Sequence, residues 1–98
     1  MVEHVVLFKF NDQTTREQKD SVIAGFRALR NKISGIVDLQ CDYNFNERSN
    51  QGFEIGLTVR LENKEALSAY GPHEEHRKVA SYMREVGLRE HIVVDFEL

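Results

Sequence analysis

The chain has one cysteine, one proline and no tryptophan among its 98 residues. These shortages close off whole classes of protein. A lone thiol, Cys41, cannot form an internal disulfide, so a cross-linked secreted scaffold is excluded and a reducing cytoplasm is expected. No apolar run approaches the ~18 residues that cross a bilayer, so no membrane partner is expected. The opening Met1-Val2-Glu3-His4 lacks the basic segment of a secretory signal, and Lys9 interrupts the apolar stretch that follows. Charge of one sign is missing too. Sixteen acidic and 13 basic residues are interspersed and sum to -3, which leaves no stripe for nucleic-acid phosphates. There is no glycine-rich phosphate loop and no interleaved basic and aromatic pattern.

What is present is a soluble globular balance, 41% hydrophobic and 30% charged. The length allows one domain, residues 1–98. Such a chain buries only ~60–65% of its unfolded surface, so a second copy is an expected source of stability.

Residues 2–10 read as a strand, β-branched and aromatic without caps. Val2, His4, Val6, Phe8 and Phe10 share one face; Glu3, Val5, Leu7 and Lys9 share the other. Its centre is apolar on both faces, which requires cover on both sides. Thr14 and Glu17 form a capping box for a helix over residues 15–31, with an apolar stripe at Val22, Ile23, Phe26, Leu29 and Ile33 and Gly35 as a stop. A second strand over 36–45 turns Val37, Leu39, Cys41, Tyr43 and Phe45 to one side. The third, 53–61, does so with Phe53, Ile55, Leu57, Val59 and Leu61, and Gly56 marks a bulge or a close backbone approach. Asn63 caps a short helix that ends at Gly71. Pro72 suits the first turn of another, striped by Val79, Ala80, Met83 and Val86 and closed by Gly87. A last strand covers 91–96.

The order β-α-β-β-α-α-β predicts an α+β fold: a ferredoxin-like four-stranded antiparallel sheet with helices on one face. The uncovered face calls for a partner, most economically a homodimer whose sheets close face to face into a dimeric α+β barrel, although a small trimer would also cover it.

Chemistry concentrates in Tyr70-Gly71-Pro72-His73-Glu74-Glu75-His76. Tracing the stripe of the last helix back from Val79 and Ala80 reaches His76, with His73 at its edge. His4 alternates with Val2 and Val6 on a face expected to lie under the helices. His76, Tyr70 and His4 are therefore candidate catalytic residues that could converge on one pocket, where partial desolvation and neutral-range titration suit acid/base work. His73, Ile55 and Phe8 are candidate substrate contacts. The alternative, a hydrogen-bonded core with no chemistry, stays open. His73 and His76 at i, i+3 give too few ligands for zinc, so no metal and no cofactor are expected. Glu74 and Glu75 suit the first turn of a helix for electrostatic reasons alone. Cys41 has no local signature of a nucleophile, and His91 is expected to be exposed.

The segments His4-Val5-Val6-Leu7-Phe8-Lys9-Phe10, Gly52-Phe53, Val59-Arg60-Leu61, Leu67-Ser68-Ala69-Tyr70 with His73 and His76, and Val93-Val94-Asp95-Phe96 together resemble the stress-responsive A/B barrel domain family. The resemblance covers essentially the whole chain and implies a dimeric α+β barrel. It implies no single activity, because most bacterial members have none assigned. A plant polyketide cyclase of the family performs an aldol cyclisation with a tyrosine and a histidine of a Tyr-x-x-His-x-x-His segment and a pocket histidine on strand one; these positions match Tyr70, His76 and His4. A further pocket histidine of that enzyme falls at Ile55, and a proline usual after the first histidine of the segment is Glu74 here. Some plant members hold a metal on backbone carbonyls at positions that match Arg30, Ile33 and Ile36.

Three functions follow as expectations: a barrel of unassigned activity with a pocket for a small apolar ligand at Tyr70, His76 and His4; an acid/base enzyme acting on a small apolar carbonyl compound; or a heme- or quinone-handling, monooxygenase-like barrel. A Soret band from the purified protein would single out the last.

Overall fold

A computed structural model describes all 98 residues. The elements run β1 (Val2–Phe10), α1 (Arg16–Leu29), β2 (Ile36–Tyr43), β3 (Ile55–Leu61), α2 (Lys64–Tyr70), α3 (Glu74–Val86) and β4 (Leu88–Glu97). The four strands form one antiparallel sheet in the order β2-β3-β1-β4, the ferredoxin-like arrangement. Helices lie on one face. Their stripes meet the inward residues of β1 and β3 in a single core of 17 buried residues, with Phe26 stacked on Phe8 at 5.4 Å between ring centroids. All five apolar positions expected along the α1 stripe are buried, as are all five expected on β3.

Local expectations need correction at several points. The capping box lies one residue later than expected. Thr15 Oγ1 accepts from the Gln18 N–H at 3.1 Å, and Gln18 Oε1 accepts from the Thr15 N–H at 2.9 Å. Thr14 is instead buried, and its hydroxyl donates to the Val86 carbonyl at 2.7 Å, tying the β1–α1 loop to the end of α3. Since Thr15 holds the cap, Thr15→Ala should cost about 1 kcal/mol in denaturant unfolding. An equal loss in Glu17→Ala would show that the box had been assigned to the wrong pair.

Pairing slips between Ile36 and Asp38, so Ile36 packs on the core while Val37, expected inside, is exposed. β2 ends at Tyr43, which leaves Phe45 outside the strand and 94% exposed. No bulge occurs at Gly56; the ladder passes regularly through it, opposite Leu7 and Asp42. Pro72 precedes the helix instead of entering its first turn, because His73 is the N-cap and α3 starts at Glu74. β4 begins three residues before His91. Gly87 is required where it stands: its φ is +122°, and a Cβ there would lie 2.5 Å from both Asn11 and Thr14 side chains.

The other face of the sheet carries no helix. Val5 and Leu7 of β1 pair with Val94 and Ile92 of β4 across that face, and Phe96 stands opposite Glu3. Ile92, Val94 and Phe96 are each about half exposed. Ion pairs bound this apolar patch, Glu3 with Arg60 at 3.3 Å at one end and Lys9 with Glu90 at 3.0 Å at the other. No helix is long and apolar enough to cross a membrane.

Candidate functional site

On the helical face, α2, α3 and the strands enclose a cavity of about 360 Å³, a size suited to a small ligand. Its wall includes His4, Val6 and Phe8 from β1, Tyr70 at the end of α2, His76, Ala80 and Met83 along α3, and His91 and Val93 from β4. Each place follows from chain geometry. Alternation on β1 sends His4 inward with Val6 and Phe8. Helical spacing puts His76, Ala80 and Met83 on one stripe. The break at Gly71-Pro72 separates α2 from α3, so that Tyr70 and His76 meet across the turn with ring centroids 4.6 Å apart.

The structure thus brings His4, Tyr70 and His76 together: the His4 ring stands edge-on to Tyr70 at 5.6 Å, and Phe26 is 6.4 Å from His76. Phe8 is on the same wall. Ile55, the ladder partner of Phe8, is fully buried and off the wall. His73 is also off it, occupied as the cap of α3, where its Nδ1 accepts from the Glu75 N–H at 3.0 Å.

The hydrogen bonds specify the protonation of the site. His76 Nδ1 lies 2.8 Å from the Gly71 carbonyl. A carbonyl only accepts, so Nδ1 carries the hydrogen and Nε2 presents a lone pair without a protein partner. Burial, assisted by the positive fields of His4, Arg84 and His73, holds the proton affinity of His76 below its ordinary value, while the Gly71 bond works the other way. The ring is therefore neutral at pH 7. Tyr70 is 1% exposed, and its hydroxyl is buried with no partner in the protein. Burial, with the Cys41 thiol a smaller cause, pushes the phenol well above its usual range, so it keeps its proton and can only donate or accept as a neutral group. A hydroxyl sealed in this way forfeits ~1–3 kcal/mol unless something bonds to it.

His4 Nδ1 meets Asp95 Oδ1 at 2.5 Å, and the two residues are direct partners across the β1–β4 ladder. The carboxylate fixes the ring so that Nε2 faces away from Asp95. The sequence alone does not point to Asp95, the Gly71 carbonyl, Arg84 or His91 for this site. For Asp95 the missing datum was register: alternation with Val93 and His91 assigns its face, but only the pairing of β1 with β4 sets it opposite His4. Cys41 is buried, and burial raises its thiol pKa to about 12, which leaves it inert. No group of three or more potential metal-ligating side chains is assembled anywhere in the chain.

Comparison with known proteins places the fold. The model of the Stress responsive A/B Barrel Domain matches residues 2–98. An uncharacterized protein of Streptomyces coelicolor is 29% identical over 100 residues, spanning 99% of either chain. Among solved structures, an Arabidopsis thaliana protein superposes with a TM-score of 0.87 at 26% identity, covering 100% of this chain and 95% of that one. A dimeric protein of unknown function and ferredoxin-like fold from Bacteroides fragilis superposes with a TM-score of 0.82 at 30% identity, over 99% and 95% of the two chains.

Proposed function

The chain belongs to the stress-responsive A/B barrel family, and on that premise we propose that each protomer of a homodimer binds a small, mainly apolar carbonyl compound in the cavity beside His76. One observation carries the reading: Tyr70, whose buried hydroxyl has no protein partner, is among the residues lining that cavity, next to a neutral histidine with a free ring nitrogen. Both groups lack what a ligand carbonyl with an acidic neighbouring carbon would supply.

The chemistry follows from the two groups. His76 Nε2 takes a proton from the carbon next to the carbonyl and becomes an imidazolium. The C–H electron pair moves into the adjoining bond, and the carbonyl oxygen gains negative charge. The Tyr70 hydroxyl donates to that oxygen at the moment the charge develops, when its hydrogen bond is worth most. Return of the proton from His76 restores the ketone; attack of the carbanion on a second carbonyl of the same ligand would close a ring. His4, held by Asp95, orients the ligand from the strand side. Incubating the protein with a medium-chain methyl ketone in heavy water tests this: NMR should record loss of the protons beside the carbonyl faster than with free imidazole at equal concentration. A rate no greater than that control overturns the acid/base reading.

Dimerisation uses the helix-free face. Its apolar centre with ion pairs at the ends is the composition of an interface, and the similar B. fragilis protein is dimeric. Gly56 adds room there, since a Cβ at that position would touch only Leu7 Cδ2 at 3.9 Å. Val94→Lys, at the middle of the patch, should shift the particle in light scattering from twice the 11.4 kDa chain mass to that mass itself. An unchanged mass would place the interface elsewhere. The unpaired thiol suits a reducing compartment, and we place the protein in the cytoplasm.

A further inference from the structure

We infer that the ligand carries a carboxylate, and that Arg84 at the cavity mouth receives it. This rests on the reading of the cavity as a small-molecule site, and not on the acid/base chemistry within it. The argument begins with a contrast of charge. The chain as a whole is acidic, with 16 carboxylate residues against 13 bases. Yet no aspartate or glutamate lines the cavity, and every ionisable side chain on its wall other than the Tyr70 phenol can be only neutral or positive: His4, His76, His91 and Arg84. Asp95 sits behind His4, off the wall and engaged with it.

Arg84 is the fixed charge of the group. Arg16, Arg27, Arg30 and Arg60 each lie on a carboxylate of the protein. Arg84, like Arg48, Arg77 and Arg89, has no ion-pair partner, and of these four it alone lines the cavity. It follows His76 by eight residues on α3, about 12 Å along the axis at ~1.5 Å per residue. Helical side chains lean toward the N-terminus, the direction in which His76 lies, and Arg84 is among the residues that line the cavity. Their proximity has a second sign, because the charge of Arg84 contributes to the resistance of His76 to protonation. A guanidinium at the rim of an apolar pocket recognises a carboxylate through its fork of donors.

The rest of the wall sets the remainder of the ligand. It is mainly hydrophobic, with Phe8, Phe26 and Met83 among its members. At ~30 Å³ for each water-sized group, the volume takes about a dozen heavy atoms. The class is therefore a medium-chain carboxylic acid, with its chain inside and its acid group at the mouth.

Calorimetric titration with octanoate and with octanamide tests the assignment, using the wild-type protein and Arg84→Gln; the site of binding is read from backbone amide NMR shifts. Arg84 is exposed, so the variant should fold normally, which its unfolding midpoint checks. Octanoate should bind wild type at least tenfold more tightly than octanamide, with shifts at Gly71 and Leu88. Arg84→Gln should lose most of that preference while keeping octanamide within twofold. Equal affinities in wild type, or a preference that survives Arg84→Gln, overturn the inference and leave a neutral-ligand pocket standing. Failure of both probes to bind, or shifts confined to Val5 and Leu7 on the opposite face, overturns the inference and the pocket together.

Discussion

His76→Asn should lower the rate of proton exchange beside the ligand carbonyl by ~10²–10⁴-fold, the range general acid–base groups usually supply. Asparagine is the informative replacement because its amide N–H can still donate to the Gly71 carbonyl, the bond that holds the histidine at 2.8 Å. The turn between α2 and α3 is then preserved while the basic nitrogen is lost. A variant that keeps its unfolding midpoint and loses exchange assigns the loss to chemistry. A variant with wild-type exchange would remove His76 from the mechanism.

The pH dependence carries an independent sign. Burial lowers the proton affinity of folded His76 beneath the ordinary value of 6.5. The base is active when neutral, so exchange should rise with pH through a midpoint below 6.5 and be flat at neutrality. The unfolded chain binds this proton more readily than the folded one, so stability rises with pH across the same window. The His76 contribution is complete above the unfolded value and is lost as the pH falls toward the folded one. Chemical unfolding between pH 5 and 7 should therefore show a slope that His76→Asn reduces. An activity midpoint above 6.5 would contradict the burial of the ring.

Tyr70→Phe should move stability and activity in opposite directions. Removing the hydroxyl deletes a buried polar group without a protein partner, so the folded state should gain roughly 1 kcal/mol, or ~4–8 °C in melting temperature for a chain of this size. The same change removes the donor to the developing oxyanion and should cost ~10²–10³-fold in exchange rate. The phenol is held protonated by burial, so the loss should not vary with pH in the physiological range. A lower melting temperature would mean that the hydroxyl has a structural partner, and the oxyanion role would fail with it.

The sheet and its helices were legible because their signals are periodic and redundant. Five stripe positions on α1 and five on β3 point inward together, and no single residue decides the outcome. Expectations failed where one backbone feature decides. The slip between Ile36 and Asp38 exchanges the faces of Ile36 and Val37, and no residue type announces it. Thr14 and Thr15 are equally good caps by chemistry. What separates them is the Val86 carbonyl, 72 positions away, which claims the Thr14 hydroxyl. At the site, helical spacing led to His76 and strand alternation to His4. Asp95 and Arg84 needed tertiary information, namely a ladder register and the enclosure of the cavity by α3 and β4.

β4 lends one strand to two separate spaces. His91 and Val93 line the cavity, while the intervening Ile92 and the adjacent Val94 face the bare side of the sheet. Because the strand is a single ribbon, a tilt that seats one row against a second protomer also tilts the row that bounds the ligand. Where that bare side seats a second protomer, occupancy and association would share a free energy, and thermodynamic reciprocity would make the exchange mutual. Whatever tightened the pair of chains would alter affinity for a bound small molecule, and the small molecule would alter the concentration at which the chains separate. In a cell, abundance of the protein would itself tune how readily the cavity fills.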